Sequence, residues 1–242
     1  MIQNFLNEVS FHIRQKYLGK FILRNGLPQV SLGKESILKE NQYYKMILSE
    51  GFHRANLPEV QQVIDVGCRN WSYISALSEF FPSALLKGIE VDGGRRYWNL
   101  YRRIDQTRAY GQALKRKENR EVYWVHGDFR ETKRIQADLP VAFCFFFPFV
   151  SYNPCLKWGL PARFACFKEL LRHSKYLAQK AKSPAVWISS HQGEWEADIA
   201  REVYAKAGLQ WEEYILPVES FKHLWPSRYE TRIFVAKEKQ TT

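Results

Sequence analysis

The chain has 242 residues, 45% hydrophobic and 15% aromatic, which suits one domain with a substantial core, or one domain with an added segment. Lys+Arg 36 against Asp+Glu 25 leaves a net charge of +11, an excess that favours an anionic partner such as nucleic acid without identifying one. Cys68, Cys144, Cys155 and Cys166 form no C-x-x-C pair or metal-ligand spacing, and no apolar run is long enough for a secretory signal or a membrane span. A soluble, reduced, cytoplasmic protein with no metal and no membrane partner is therefore expected.

Residues 1 to 60 read as a helical N-terminal extension. Phe5, Val9, His12, Ile13 and Tyr17 share one face at helical spacing, and Ile37 to Phe52 forms a second amphipathic stretch. Asn25-Gly26-Leu27-Pro28 between them is a turn cluster. Packing of this extension on the following domain, or over its ligand cleft, is expected.

Residues 61 to 242 read as one domain in which strands and helices alternate. Val63-Ile64-Asp65-Val66-Gly67 is an apolar run closed by a turn, the pattern of a buried parallel strand. Trp71, Ile74, Leu77, Ser78 and Phe81 follow at helical spacing, and Leu85 to Asp92 is the second strand. A helix is expected from about Arg95 to Leu114, carrying Trp98, Leu100, Tyr101 and Ile104 among its arginines. Glu121 to Val125 is the third strand, ending at His126-Gly127-Asp128-Phe129, and Val141 to Phe147 is an apolar fourth strand stopped by Pro148. Ala162 to Ala181 is a helix, Ala185 to Ser189 the fifth strand, and Glu194 to Ala207 a helix ended by Gly208. Trp211 to Val218 and Thr231 to Ala236 alternate as two last strands with no helix between them.

Seven strands result, so the expected fold is α/β: a mostly parallel sheet with helices on both faces and an antiparallel C-terminal hairpin. Right-handed crossovers place a ligand at the C-terminal ends of the central strands, where Asp65, Glu90, Asp128 and Phe147 stand. An acid ending the second strand of such a unit suits the two hydroxyls of a ribose. A dinucleotide fingerprint is not present, because Arg69 and Ser72 stand where its glycines are needed.

Over residues 60 to 237 these elements resemble class I S-adenosylmethionine-dependent methyltransferases. Their glycine-rich turn D-x-G-x-G-x-G reads here Asp65-Val66-Gly67-Cys68-Arg69-Asn70-Trp71, with only the first glycine kept. The resemblance implies S-adenosyl-L-methionine as cofactor. It places Gly67, Cys68, Arg69 and Asn70 against the methionine portion with Asp65 supporting the turn. Glu90 and Val91 then border the ribose, Asp128 and Phe129 the adenine, and Phe147 with Pro148 the transfer cleft. Asn70 is the residue expected to take a positive φ in place of a glycine.

The loop Pro148 to Pro154 lacks the Asp/Asn-Pro-Pro-aromatic tetrapeptide of enzymes that methylate exocyclic amines. A small aromatic or hydroxylated acceptor is expected, and RNA (tRNA or rRNA) is the alternative that the basic balance suggests. A catalytically inactive, methyltransferase-like binding protein is the non-enzymatic reading. His191, in Ser189-Ser190-His191-Gln192, is the candidate proton acceptor at the rim.

Overall fold

A computed structural model describes residues 1–16, 26–52 and 59–238. Tyr17 and Asn25 of the expectations above lie outside the described residues. Seven strands form one sheet in the order β3-β2-β1-β4-β5-β7-β6. They are β1 (Gln62–Val66), β2 (Leu85–Glu90), β3 (Val122–His126), β4 (Val141–Phe146), β5 (Ala185–Gln192), β6 (Leu209–Leu216) and β7 (Thr231–Glu238). β1 to β5 pair in parallel, whereas β7 runs antiparallel to both β5 and β6. The chain builds outward from β1 to β3 and then crosses back to β4, so the order reverses between β1 and β4. A crevice opens at such a reversal because the flanking crossovers leave in opposite directions.

The period-two alternation of the strands fills two cores. Val63, Ala142, Cys144, Ile188 and Ile233 face one side, and Ile64, Phe143, Phe145, Trp187 and Phe234 face the other. The first side is covered by α2 (Glu35–Phe52), α3 (Ile74–Phe80) and α4 (Arg103–Glu118). The second is covered by α6 (Phe167–Ala181) and α7 (Gly193–Lys206). α5 (Tyr152–Lys157) and a single 3₁₀ turn at Ala162–Phe164 bridge from β4 to α6, and α8 (Val218–Phe221) lies between β6 and β7.

α8 stands between the last two strands, where no helix is expected from the sequence, and takes Val218 out of the sixth strand, because Pro217 ends the ladder and opens the helix. Three more expectations change. The helix expected from Arg95 begins only at Arg103. Residues 95 to 103 instead fold back as a small hairpin, closed by the Arg103 N–H donating to the Arg95 carbonyl and by a bridge between Arg96 and Arg102. The Asn99-Leu100 pair makes the turn, with Leu100 at φ 66°. Similarly, Ala162 begins a 3₁₀ turn and the long helix starts at Phe167.

The third change concerns α1 (Ile2–Lys16). It packs beside α5 through Asn7 and Phe11, the latter in a small apolar cluster with Cys155, Leu160 and Phe164, and Phe5, Val9, His12 and Ile13 point outward. The Asn7 side-chain amide donates to the carbonyls of Leu156 and Leu160 at 3.0 and 2.9 Å. The Arg14 guanidinium pairs with Asp92 at 3.0 Å, and the Gln15 amide donates to the Val91 carbonyl at 3.1 Å. Buried backbone carbonyls beyond the strand ends need donors, and these residue types supply them.

Candidate active site

The turn after β1 is held by side chains instead of glycines. Gly67, at φ 83°, donates its N–H to the Ile89 carbonyl. Arg69 and Trp71, not Asn70, then take positive φ, 54° and 61°. Each such residue costs about 1 kcal/mol or more, so the surroundings must supply the difference. Asp65 does so from below: one carboxylate oxygen accepts the Trp71 indole N–H at 2.9 Å and the Tyr73 hydroxyl at 2.8 Å. The indole lies over Gly88, where an added Cβ would approach its ring to 2.8 Å. From above, Tyr44 of α2 stacks on Tyr73 with centroids 3.9 Å apart. Asn41 of the same helix accepts the Ala76 N–H, capping α3, which has no capping side chain of its own.

Glu90 ends β2 and is 3% exposed. Its Oε1 accepts the Asp92 N–H at 2.7 Å and the Arg103 guanidinium at 3.0 Å. Its Oε2 accepts only the Arg69 N–H, at 2.9 Å, which leaves that oxygen with acceptor capacity toward the cavity. Arg103 is itself buried, so the pair is desolvated and each charge depends on the other.

A cavity of about 240 Å³ lies over these strand ends. Of the ten residues that the sequence places at the cofactor, Gly67, Arg69, Glu90 and Val91, with Asp128, Phe129 and Phe147, line it. Asp65 and Cys68 do not: both are wholly buried behind the wall, where they hold the turn. Asn70 faces a neighbouring depression shared with Arg69, Ser72 and Trp225. The Arg69 side chain lines both spaces and its guanidinium makes no hydrogen bond or ion pair among the described residues.

At the β3 end, burial pushes the Asp128 carboxyl up, but the bonds from Arg130 outweigh it and hold the group below its ordinary range. Both oxygens already accept from the Arg130 guanidinium. Phe129 is buried edge-on to His173, at 5.0 Å. At the β4 end Phe147 takes φ 54° and stacks on Tyr43 of α2 at 6.2 Å.

His191 is not at the rim. β5 runs through Gln192, so His191 still lies within the strand, paired in register with Arg232, and it is fully buried between Phe167 and Phe234. Burial lowers its pKa to about 3, so it is a neutral core imidazole bonded to Ser189 at 2.7 Å. His126 likewise is occupied, between the Glu90 carbonyl and Gln15.

A carboxylate absent from the sequence expectations takes that place. Glu196, in the first turn of α7, lines the cavity together with Gln192, and accepts the Gln192 N–H at 2.7 Å. Burial raises its pKa, although the bond from Gln192 works the other way. No sequence signal marks it: Glu196 stands four residues after Gln192, one beyond the spacing of a capping box.

No family model matches the chain, and no curated protein does. Solved structures match its fold throughout. Magnesium protoporphyrin IX methyltransferase from Synechocystis with bound S-adenosylmethionine aligns over 98% of this chain and 95% of its own, at 16% identity and TM-score 0.52. Precorrin-6y C5,15-methyltransferase from Geobacter metallireducens aligns over 90% and 97%, at 15% identity and TM-score 0.50. The reversal between β1 and β4, the antiparallel β7 and the helices on both faces give this chain the Rossmann-like fold of class I S-adenosylmethionine-dependent methyltransferases.

Proposed function

We propose that the chain is an S-adenosylmethionine-dependent methyltransferase with a small, largely apolar acceptor. The observation that carries this reading is the convergence of Gly67, Glu90, Asp128 and Phe147, from the ends of four adjacent strands, on one cavity at the sheet's reversal. Oε2 of Glu90, with one acceptor position left, suits a ribose hydroxyl. Phe129 and Leu170 offer apolar walls for the adenine beside Asp128. The unpaired Arg69 guanidinium suits the carboxylate of the methionine end. When bound, S-adenosylmethionine supplies a methyl group already activated on a sulfonium.

The chain's own residues then orient an acceptor and move its proton. Phe146, Phe147, Pro148 and Trp225 give the acceptor end an apolar lining that excludes water. Glu196 takes the proton that an acceptor hydroxyl or amine loses, its raised pKa bringing it nearer to neutral pH.

Calorimetry with S-adenosylhomocysteine tests the cofactor. Glu90→Gln, which keeps the side-chain shape, is expected to weaken binding at least about tenfold. Arg69→Met weakens S-adenosylhomocysteine but leaves methylthioadenosine, which lacks the carboxylate, unaffected. No heat at millimolar ligand overturns the reading. Transfer of labelled methyl to bulk tRNA, with none to aromatic or hydroxylated small molecules, overturns only the acceptor class.

A further inference from the structure

α1 docks with most of its apolar residues outward; of them only Phe11 is buried, against Phe164. Its polar residues Asn4, Asn7, Arg14 and Gln15 bind the body of the protein. Its aliphatic stripe Ile2, Leu6, Val9 and Ile13, with Phe5 beside it, faces solvent, each residue at least 42% exposed. A soluble helix ordinarily buries that stripe. Two other segments present apolar groups next to it. The hairpin of residues 95 to 103 carries Trp98, fully exposed, and Leu100 at its tip. The turn after α5 carries Trp158, 52% exposed. The three segments are tied together: Asp92, buried just before the hairpin, accepts from Arg14 and Arg95, while Arg14 also donates to the Gly159 carbonyl and Arg95 to that of Trp158. Gly94 meets the Arg14 backbone so closely that a Cβ there would approach it to 2.8 Å.

The charge around these groups is positive on balance, although Arg14 and Arg95 pair with Asp92, Arg102 with Asp105 and Arg163 with Glu8. Residues 2–16, 92–108 and 152–163 together hold nine Lys or Arg and three acids. Aliphatic side chains on a helix, an indole on a turn tip and a basic surround match what an anionic bilayer surface binds: apolar groups enter the headgroup region and cations meet the lipid phosphates. Nucleic acid would use Trp98 and the arginines, but it has no use for Ile2, Leu6, Val9 and Ile13. Among the described residues no helix is long and apolar enough to cross a membrane, so the contact is with the surface only.

We propose that α1 and the tip of the hairpin dock this protein on anionic phospholipid surfaces, with the aliphatic stripe of α1 and Trp98 entering the headgroup layer. This inference does not depend on methyl transfer. It departs from the expectation of no membrane partner, which considered spans alone.

Co-sedimentation of the 242-residue chain with vesicles tests it, using phosphatidylcholine alone and phosphatidylcholine with about one third phosphatidylglycerol. The chain is expected to pellet with the anionic vesicles, less with neutral ones, and less at high salt. Val9→Glu and Ile13→Glu are expected to weaken that binding at least about tenfold each, with circular dichroism unchanged. Trp98→Phe removes most of the blue shift of tryptophan emission on vesicle addition. The proposal is overturned if anionic vesicles do not bind, or if both glutamate variants bind as the parent does. A parent dimer that either variant turns into a monomer, without vesicle binding, assigns the stripe to a second copy. RNA affinity lost in Trp98→Ala, again without vesicle binding, assigns the surface to nucleic acid. Either result overturns the proposal.

Discussion

α1 and α2 are both amphipathic, yet they meet the sheet domain with opposite faces. α2 buries Tyr43, Tyr44, Ile47 and Leu48, each at most 1% exposed, against the sheet and α3. α1 buries Asn7 and Phe11 and leaves its aliphatic stripe outside. The difference teaches that periodicity identifies the apolar face of a helix but not the face that docks. What docks is decided by the surface beneath. Under α2 lie Val235, Ile233 and the ring of Tyr73, whereas under α1 lie backbone carbonyls of Val91, Leu156, Gly159 and Leu160. One contact is hydrophobic and non-directional; the other adds to the single ring of Phe11, packed on Phe164, a short set of hydrogen bonds, each worth about 1 kcal/mol net.

Truncating α2 should therefore unfold more than it touches. Tyr44→Ala is expected to cost about 3–5 kcal/mol in urea denaturation, because it removes a fully buried ring and the stacking partner of Tyr73. A loss below about 1 kcal/mol would put α2 in the same class as α1.

The grip of α2 reaches Asp65 through Tyr73, and pH reads it. Burial raises the Asp65 pKa to about 7, against bonds from Tyr73 and Trp71 that lower it. The folded protein thus holds a proton that the unfolded chain releases near pH 4, at about 3.9. Its contribution is full below that pH, falls as pH rises, and is gone above about 7. Asp65→Asn keeps an acceptor for Trp71 and Tyr73 and cannot ionise. Its stability relative to the parent is expected to rise from pH 4 to pH 7, by on the order of 3 kcal/mol, and then level off. A flat difference would mean that Asp65 is ionised throughout.

Asn7→Ala asks the matching question of α1. Two carbonyls lose their donor, at a cost of about 1–3 kcal/mol, and the loss should be local. Hydrogen exchange in residues 2–16 is expected to accelerate while the denaturation midpoint moves little. A midpoint shift as large as that of Tyr44→Ala would erase the contrast. Smallest of all, Val9→Ser on the outer face should change stability by no more than about 0.5 kcal/mol.

The sheet was legible because buried parallel strands announce themselves as apolar runs, and β1, β2 and β4 do so. The ends of elements were less so. β5 continues three residues past Ser189 because Ser190 and His191 still find partners on β7, Ile233 and Arg232, and polar residues in a strand carry no such signal. Extending the strand turned a rim histidine into a core one. Nothing in the mixed apolar and basic residues Trp98, Leu100, Tyr101 and Ile104 with their arginines separates the hairpin at residues 95 to 103 from the helix that follows it, although Gly93 and Gly94 precede it. α5 and the 3₁₀ turn, which roof the cavity with Pro154, Leu160 and Phe164, are too short to show any period. Glu196 is unreadable for another reason: its role comes from where α7 sits in space.

The indole of Trp71 over Gly88 also limits how this chain can change. A side chain at position 88 cannot appear while the indole lies there, since it would overlap the ring. The indole cannot shrink to glycine first without opening a void and stripping Asp65 of a donor in a fully buried place. Either single step passes through a damaged protein, so the two positions can move only together. A glycine-rich turn cannot therefore be installed here one substitution at a time. Libraries that randomise positions 71 and 88 jointly should recover functional pairs that neither single-site library contains.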